Sequence, residues 1–259
     1  MNVPAPIHSL LARGEKIALL TCYDASFATL MADAGVDLLL VGDSLGMVLQ
    51  GAGDTLGVSM DDMCYHTRCV AAGSRGIPII SDLPAGSDAT PEIALANARA
   101  LRDAGACMVK LEGAKPDVVR HLVAHDIAVC GHLGFTPQSV HALGGYKVQG
   151  RDAAGAQRII DDAVALEHAG IGMLVLEMVP AALADRISRR LEVPVIGIGA
   201  GPHCDGQVLV LHDMLGAYPG KTPRFVRNFL AEQGTIQRAL SAYVGAVKDG
   251  SFPAAGHGF

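Results

Sequence analysis

Short continuous apolar runs alternate along this chain with longer segments whose apolar positions recur every three or four residues. The runs at 17–22, 38–42, 78–81, 107–111, 127–131, 173–177 and 195–199 read as strands buried on both faces, the pattern of a parallel sheet. The segments at 25–34, 59–74, 90–104, 116–125, 152–169 and 180–191 read as helices. The joints support this division. Asp33-Ala34-Gly35, Asp103-Ala104-Gly105 and His168-Ala169-Gly170 each predict a helix end with a glycine cap, followed by a new strand. Gly76-Ile77-Pro78 and Glu192-Val193-Pro194 end helices with proline. Thr90-Pro91-Glu92 and Lys115-Pro116-Asp117 place proline and an acid at helix starts.

Seven βα units predict a (β/α)8 TIM barrel with one strand obscured. Gln207-Val208-Leu209-Val210-Leu211-His212 is the candidate eighth strand, and is equally compatible with a short buried helix. A doubly wound open sheet is the competing architecture. No Gly/Ser-rich linker or compositional break divides the chain, so one domain over 1–259 is expected. From about residue 222 the pattern predicts an amphipathic helix and then Ser251-Phe252-Pro253, packed on the barrel or on a neighbouring subunit.

Four strand candidates end in an acid: Asp43, Asp82, Glu112 and Glu177. Strand C-termini form the rim where α/β barrels do chemistry. Asp43, Asp82 and Glu112 follow one another at intervals of roughly one βα unit, ~30–40 residues. Three oxygen ligands without a His or Cys cluster suit Mg2+ or a similar hard cation, although any one of them alone could be a helix cap. Lys110 lies two residues before Glu112, so strand alternation turns both to one face. There it could hold a substrate carboxylate or a developing oxyanion, or serve as a structural ion pair. His132 follows the run ending at Gly131 and either donates to a substrate oxygen or is a satisfied core histidine. Glu177, across the ring from Asp82, is a candidate general base. Ser44 could offer its hydroxyl to an anion, or merely form a turn. Gly197-Ile198-Gly199-Ala200-Gly201 does not match the dinucleotide fingerprint and reads as a close-approach turn at a strand end, with phosphate binding as the alternative.

The charge balance is 20 basic against 26 acidic residues, a net −6, with no basic block, which argues against a nucleic-acid partner. No apolar stretch reaches the ~18 residues that would suggest a membrane span, and no export signal opens the chain. The six cysteines include no C-x-x-C pair, which fits a reducing cytoplasm.

Val41-Gly42-Asp43-Ser44-Leu45-Gly46-Met47, with Met60-Asp61-Asp62-Met63-Cys64-Tyr65-His66-Thr67-Arg68, resembles the ketopantoate hydroxymethyltransferase family. The likeness continues in order through Thr21-Cys22-Tyr23-Asp24, Ser81-Asp82-Leu83-Pro84, Val109-Lys110-Leu111-Glu112-Gly113, Gly131-His132-Leu133-Gly134, Leu176-Glu177-Met178-Val179-Pro180, the glycine cluster and Asp205-Gly206-Gln207-Val208-Leu209-Val210. It implies a barrel of the phosphoenolpyruvate-mutase type and a homodecamer. It implies Mg2+ on Asp43 and Asp82, with Glu112 as third ligand or water-mediated neighbour. Asp43, Ser44, Asp82 and Lys110 would contact a 2-oxo acid, His132 would line its pocket, and Glu177 would accept the proton. The implied reaction moves a hydroxymethyl group from 5,10-methylenetetrahydrofolate to 3-methyl-2-oxobutanoate, both small molecules, to give 2-dehydropantoate. Cys22 stands where the family often has Ala, and Gly57 where Pro is usual. A Mg2+-dependent 2-oxo-acid lyase or mutase on the same barrel is the enzymatic alternative. A binding module that has lost the chemistry is the non-enzymatic one.

Overall fold

Helix starts in this chain follow side chains that accept the orphan first-turn N–H groups. Asp24 accepts from the Phe27 N–H, Thr90 from Ile93, Asp152 from Gly155 and Thr235 from Arg238. Ser59 and Asp62 exchange hydrogen bonds in a capping box. The structure, a computed structural model, describes residues 4–259. The reading of the N-terminus as free of an export signal falls partly on residues 1–3, which lie outside the described residues.

Eight parallel strands close into a barrel in sequence order: β1 (Ile17–Thr21), β2 (Leu38–Val41), β3 (Ile79–Asp82), β4 (Met108–Glu112), β5 (Val129–Gly134), β6 (Met173–Glu177), β7 (Val195–Ile198) and β8 (Gly206–Leu209). The open-sheet alternative is thereby excluded. The helices are α1 (Ala5–Ala12), α2 (Ala25–Ala34), α3 (Leu45–Val48), α4 (Met60–Gly73), α5 (Pro91–Asp103), α6 (Pro116–Ala124), α7 (Ala153–Ala169), α8 (Ala181–Arg190), α9 (Leu211–Met214), α10 (Phe229–Gln233) and α11 (Ile236–Lys248). Gly35 (φ 81°) and Gly170 (φ 103°) end α2 and α7 in the left-handed conformation that the Ala-Gly joints predict.

Three expectations are corrected. The ambiguous 207–212 segment is half strand and half helix: β8 ends at Leu209, and His212 lies in the first turn of α9. The turn is fixed by Thr21, whose hydroxyl accepts from the Leu211 N–H at 2.9 Å. β5 runs past the predicted end at 131 to Gly134, so His132 is within the strand. Its glycines hide it from a hydrophobicity reading: a Cβ on Gly131 would stand 3.1 Å from Leu166, so a close helix needs the gap. The tail helix does not begin near 222. It is broken into α10 and α11 by Gly234 (φ 74°).

α11 packs against α2 and β1. The fully buried Tyr243 reaches from it into the barrel wall, its hydroxyl lying 2.9 Å from both the Leu19 and the Gln207 carbonyl. Phe229 and Phe252 close over its ring at 5.6 and 5.9 Å. Tyr243→Phe removes the shared donor from two strand carbonyls. It is expected to cost about 1–3 kcal/mol, measured as a lower urea midpoint with an unchanged slope.

Candidate active site

The sheet register assembles the site. Asp82 lies beside Lys110, Glu112 beside His132 and Gly134 beside Glu177, on consecutive strands at the C-terminal rim. Alternation then turns Lys110, Glu112 and His132 into the barrel, where each is almost wholly buried. Asp43 follows β2, and its backbone N–H donates to Asp82 Oδ2 at 3.0 Å. Lys110 Nζ stands 3.1 Å from Asp82 Oδ1 and 3.4 Å from His132 Nδ1. His132 is the hub, with Nδ1 3.4 Å from Glu112 Oε1 and Nε2 3.4 Å from Glu177 Oε2. All seven residues singled out in the sequence are thus brought to one end of the barrel. Glu177 is not remote from the other three acids, since a single imidazole separates it from Glu112. Ser44 joins through Tyr23, whose hydroxyl is 2.9 Å from Ser44 Oγ.

Backbone contacts fix Glu177 from several sides. Gly134 takes φ 92°, and a Cβ there would stand 2.2 Å from the Glu177 carbonyl oxygen. That approach lets the Phe135 N–H donate to the same carbonyl at 2.8 Å. Met178, directly after the base candidate, holds φ 46°, a conformation costly for a side-chain-bearing residue. Its N–H donates to the Ile198 carbonyl and its own carbonyl accepts from Gln149, each at 2.9 Å.

Electrostatics at the rim couple four carboxyls, those of Asp43, Asp82, Glu112 and Glu177, to Lys110 and His132. Burial, then the charges of Asp82 and Glu112, push the Asp43 carboxyl up to about 8. Burial likewise raises Asp82, against the pull of Lys110. Burial would also raise Glu112, but its contact with His132 and the nearby Lys110 hold it below the usual range. Lys110 is held above the usual lysine value, because Asp82, Glu112 and Asp43 outweigh its burial. Burial and Lys110 both depress His132, yet contacts with Glu112 and Glu177 carry it up to about 9. Glu177 is raised, chiefly by burial, which suits a base.

Residues 4–255 match the profile of the ketopantoate hydroxymethyltransferase family. The chain belongs to this family of enzymes. It is 60% identical over 98% of both chains to the 3-methyl-2-oxobutanoate hydroxymethyltransferase of Methylobacillus flagellatus. It is 57% identical to "3-methyl-2-oxobutanoate hydroxymethyltransferase 2" of Pseudomonas entomophila, over 98% of this chain and 96% of that one. Among solved structures, phosphonopyruvate hydrolase in complex with oxalate and Mg2+ superposes with a TM-score of 0.64 at 15% identity, covering 97% of this chain and 92% of that one. The phosphoenolpyruvate phosphomutase of Streptomyces platensis gives 0.63 at 13% identity, over 82% of each chain. Both share the closed parallel (β/α)8 fold with this chain.

The two departures from the ketopantoate hydroxymethyltransferase pattern leave the site untouched. Cys22 is buried, with its thiol pushed up to about 12 by that burial, and so is unreactive. A Cβ on Gly57 would meet nothing within 4 Å, so there is space beside the backbone at that position. The glycine cluster is a close-approach turn: Gly199 (φ 60°) and Gly201 (φ 81°) admit Phe225 and the start of α8, where a Cβ would stand 2.6 and 2.4 Å away. A hollow of about 440 Å3 opens at the opposite end of the barrel, beside Arg13, Asp37 and Arg75, and is lined by none of the seven residues gathered at the rim.

The donor set fits a hard cation. Asp82 Oδ1 and Glu112 Oε1 are buried without an aligned hydrogen bond, oxygen donors of the kind a hard cation takes. Among the described residues no three acidic, histidine or cysteine side chains form a ready-made cage. Asp43 and Asp82 as a pair of carboxylate donors, with Glu112 at longer range, would not need one. Gln138 was missed in the sequence. It sits in the 3-10 turn Pro137–Ser139 after β5, donating its N–H to Glu112 Oε2 at 2.9 Å and its side-chain amide to Asp43 Oδ2 at 2.8 Å. The turn after a strand end was visible, but nothing in the sequence tells where its amide points.

Proposed function

We propose that this chain transfers a hydroxymethyl group from 5,10-methylenetetrahydrofolate to 3-methyl-2-oxobutanoate. One C–C bond forms at C3, water supplies the hydroxyl oxygen, and 2-dehydropantoate and tetrahydrofolate leave. Family membership over nearly the full chain carries the reading. Asp43 and Asp82, with Glu112 beside them, would hold Mg2+, which when bound supplies Lewis-acid stabilisation of charge on the 2-oxo acid.

The remaining work falls to the chain itself. Glu177 removes the C3 proton, its basicity raised by burial. Lys110 presents a fixed positive charge where negative charge develops, already oriented by Asp82. His132 holds the Glu177 carboxylate in place and lines the 2-oxo acid pocket, with Asp43, Ser44 and Asp82 contacting the substrate. The reading carries with it a cytoplasmic homodecamer with small-molecule substrates, neither nucleic-acid-binding nor membrane-bound. Among the described residues, no helix is long and apolar enough to cross a membrane.

The test is a product assay with four mixtures. Dehydropantoate should form only when the 2-oxo acid, the folate donor and a divalent cation are all present, and EDTA should abolish it. Turnover without folate would favour the lyase or mutase alternative. Binding without turnover in the full mixture would favour the module.

A further inference from the structure

Residues 135–150 cross the barrel mouth as a strap between the acid cluster and Glu177. Its far half is pinned by ordinary contacts. The Tyr146 ring packs on Phe135 at 5.0 Å, and its hydroxyl meets Met47 Sδ at 3.6 Å. His141 Nε2 lies 3.4 Å from Asp54, and the Gln149 N–H donates to Met178. Its near half is pinned by the Phe135 N–H, which donates to the Glu177 backbone carbonyl, and by Gln138, which reaches the side chains of Asp43 and Glu112. Three bonds converge there: the backbone N–H to Glu112 Oε2 at 2.9 Å, and Nε2 to Asp43 Oδ2 at 2.8 Å and to the Leu83 carbonyl at 3.0 Å. Both side-chain partners are acceptors, so chemistry fixes which end of the amide faces them. The bond to Glu112 falls on Oε2 and leaves Oε1 without an aligned hydrogen bond.

We propose that Gln138 is a positioning residue for the metal site, orienting Asp43 and Glu112 so that the strap and the ligand set form together. This rests on the reading of those acids as cation ligands. Partners that orient ligands from outside the coordination sphere typically affect metal affinity ten- to a hundredfold. Gln138 does so from a neutral amide, which constrains Asp43 without adding a charge that would repel the cation.

Gln138→Met keeps the length and volume, loses the amide donors and leaves the backbone N–H to Glu112 in place. Mn2+ alone, without substrate, is the probe. Free Mn2+ is followed by electron paramagnetic resonance in the whole protein, and backbone hydrogen exchange is read across the strap. The wild type should bind Mn2+ with slower exchange over 136–150. Q138M should bind about ten- to a hundredfold more weakly and lose that Mn2+-induced slowing. H141A, altered at an exposed contact of the same strap, should keep wild-type affinity within about twofold. Equal affinity in Q138M and wild type overturns the proposal. Equal weakening in H141A also overturns it, since the strap as a whole would then be responsible. No Mn2+ binding by the wild type would instead remove the metal reading on which the proposal rests.

Discussion

Glu177→Gln is expected to bind 3-methyl-2-oxobutanoate much as the wild type does, while exchange of its C3 proton in D2O falls by about 10²–10⁴-fold. The amide matches the carboxylate in shape and keeps an oxygen near His132 Nε2, which stands 3.4 Å from Glu177 Oε2. The backbone pins around residue 177 involve Gly134, Phe135, Met178 and Gln149 and do not depend on its side chain. What is lost is a carboxyl whose basicity burial raises. Asp43, Asp82 and Glu112 are engaged with Gln138, Lys110 and His132, and Lys110 stays protonated. NMR of the C3 signal without folate isolates this step from carbon transfer. Exchange at the wild-type rate would remove Glu177 as the base and turn attention to Asp43, whose carboxyl is also raised.

Much of this site was legible because a parallel barrel converts sequence position into spatial position. An acid at the end of an apolar run must reach the rim, and successive runs must lie side by side. That reasoning located Asp82, Glu112 and Glu177 at the last residue or so of β3, β4 and β6. Alternation placed Lys110 on the face of Glu112. The roles were less legible than the places. His132 as a bridge between two acids depends on strand tilt and on an extended β5, and glycine in that strand masks its length. Gln138 and Tyr23 act through side-chain directions set by turns, for which a single sequence carries no period. Residues 207–212 show the same limit at the level of fold. Six apolar-rich residues can be a strand or a helical turn, and only the Thr21 hydroxyl at the head of α9 decides where one gives way to the other.

Lys110→Met tests the charge balance of the site directly, and its largest effect should be on stability. Lys110 is buried, and the charges of Asp82, Glu112 and Asp43 all act on it. Methionine keeps most of the apolar stem and removes the only lysine among the three acids. Breaking a buried ion pair from one side leaves an uncompensated charge and typically costs about 3–5 kcal/mol. The pH dependence has a definite sign. In the wild type the raised Lys110 value contributes stability that is fully present below the unfolded lysine value and lost only as pH rises through the folded one. In the variant the buried carboxyls, already raised at Asp43 and Asp82, lose the charge that drew them down and rise further. The folded state then holds protons that the unfolded chain releases near pH ~4, so stability falls as pH rises from there through the folded values. Urea unfolding with EDTA should therefore show the two proteins closest near pH 5 and farthest apart near pH 8. Mg2+ should restore part of the difference at pH 8, because a cation that binds only the folded acids stabilises that state by mass action. A variant that loses as much stability at pH 5 as at pH 8, with no recovery in Mg2+, would show that Lys110 contributes packing and not charge. The assignment of Asp43, Asp82 and Glu112 as an electrostatically strained cation site would then fall with it.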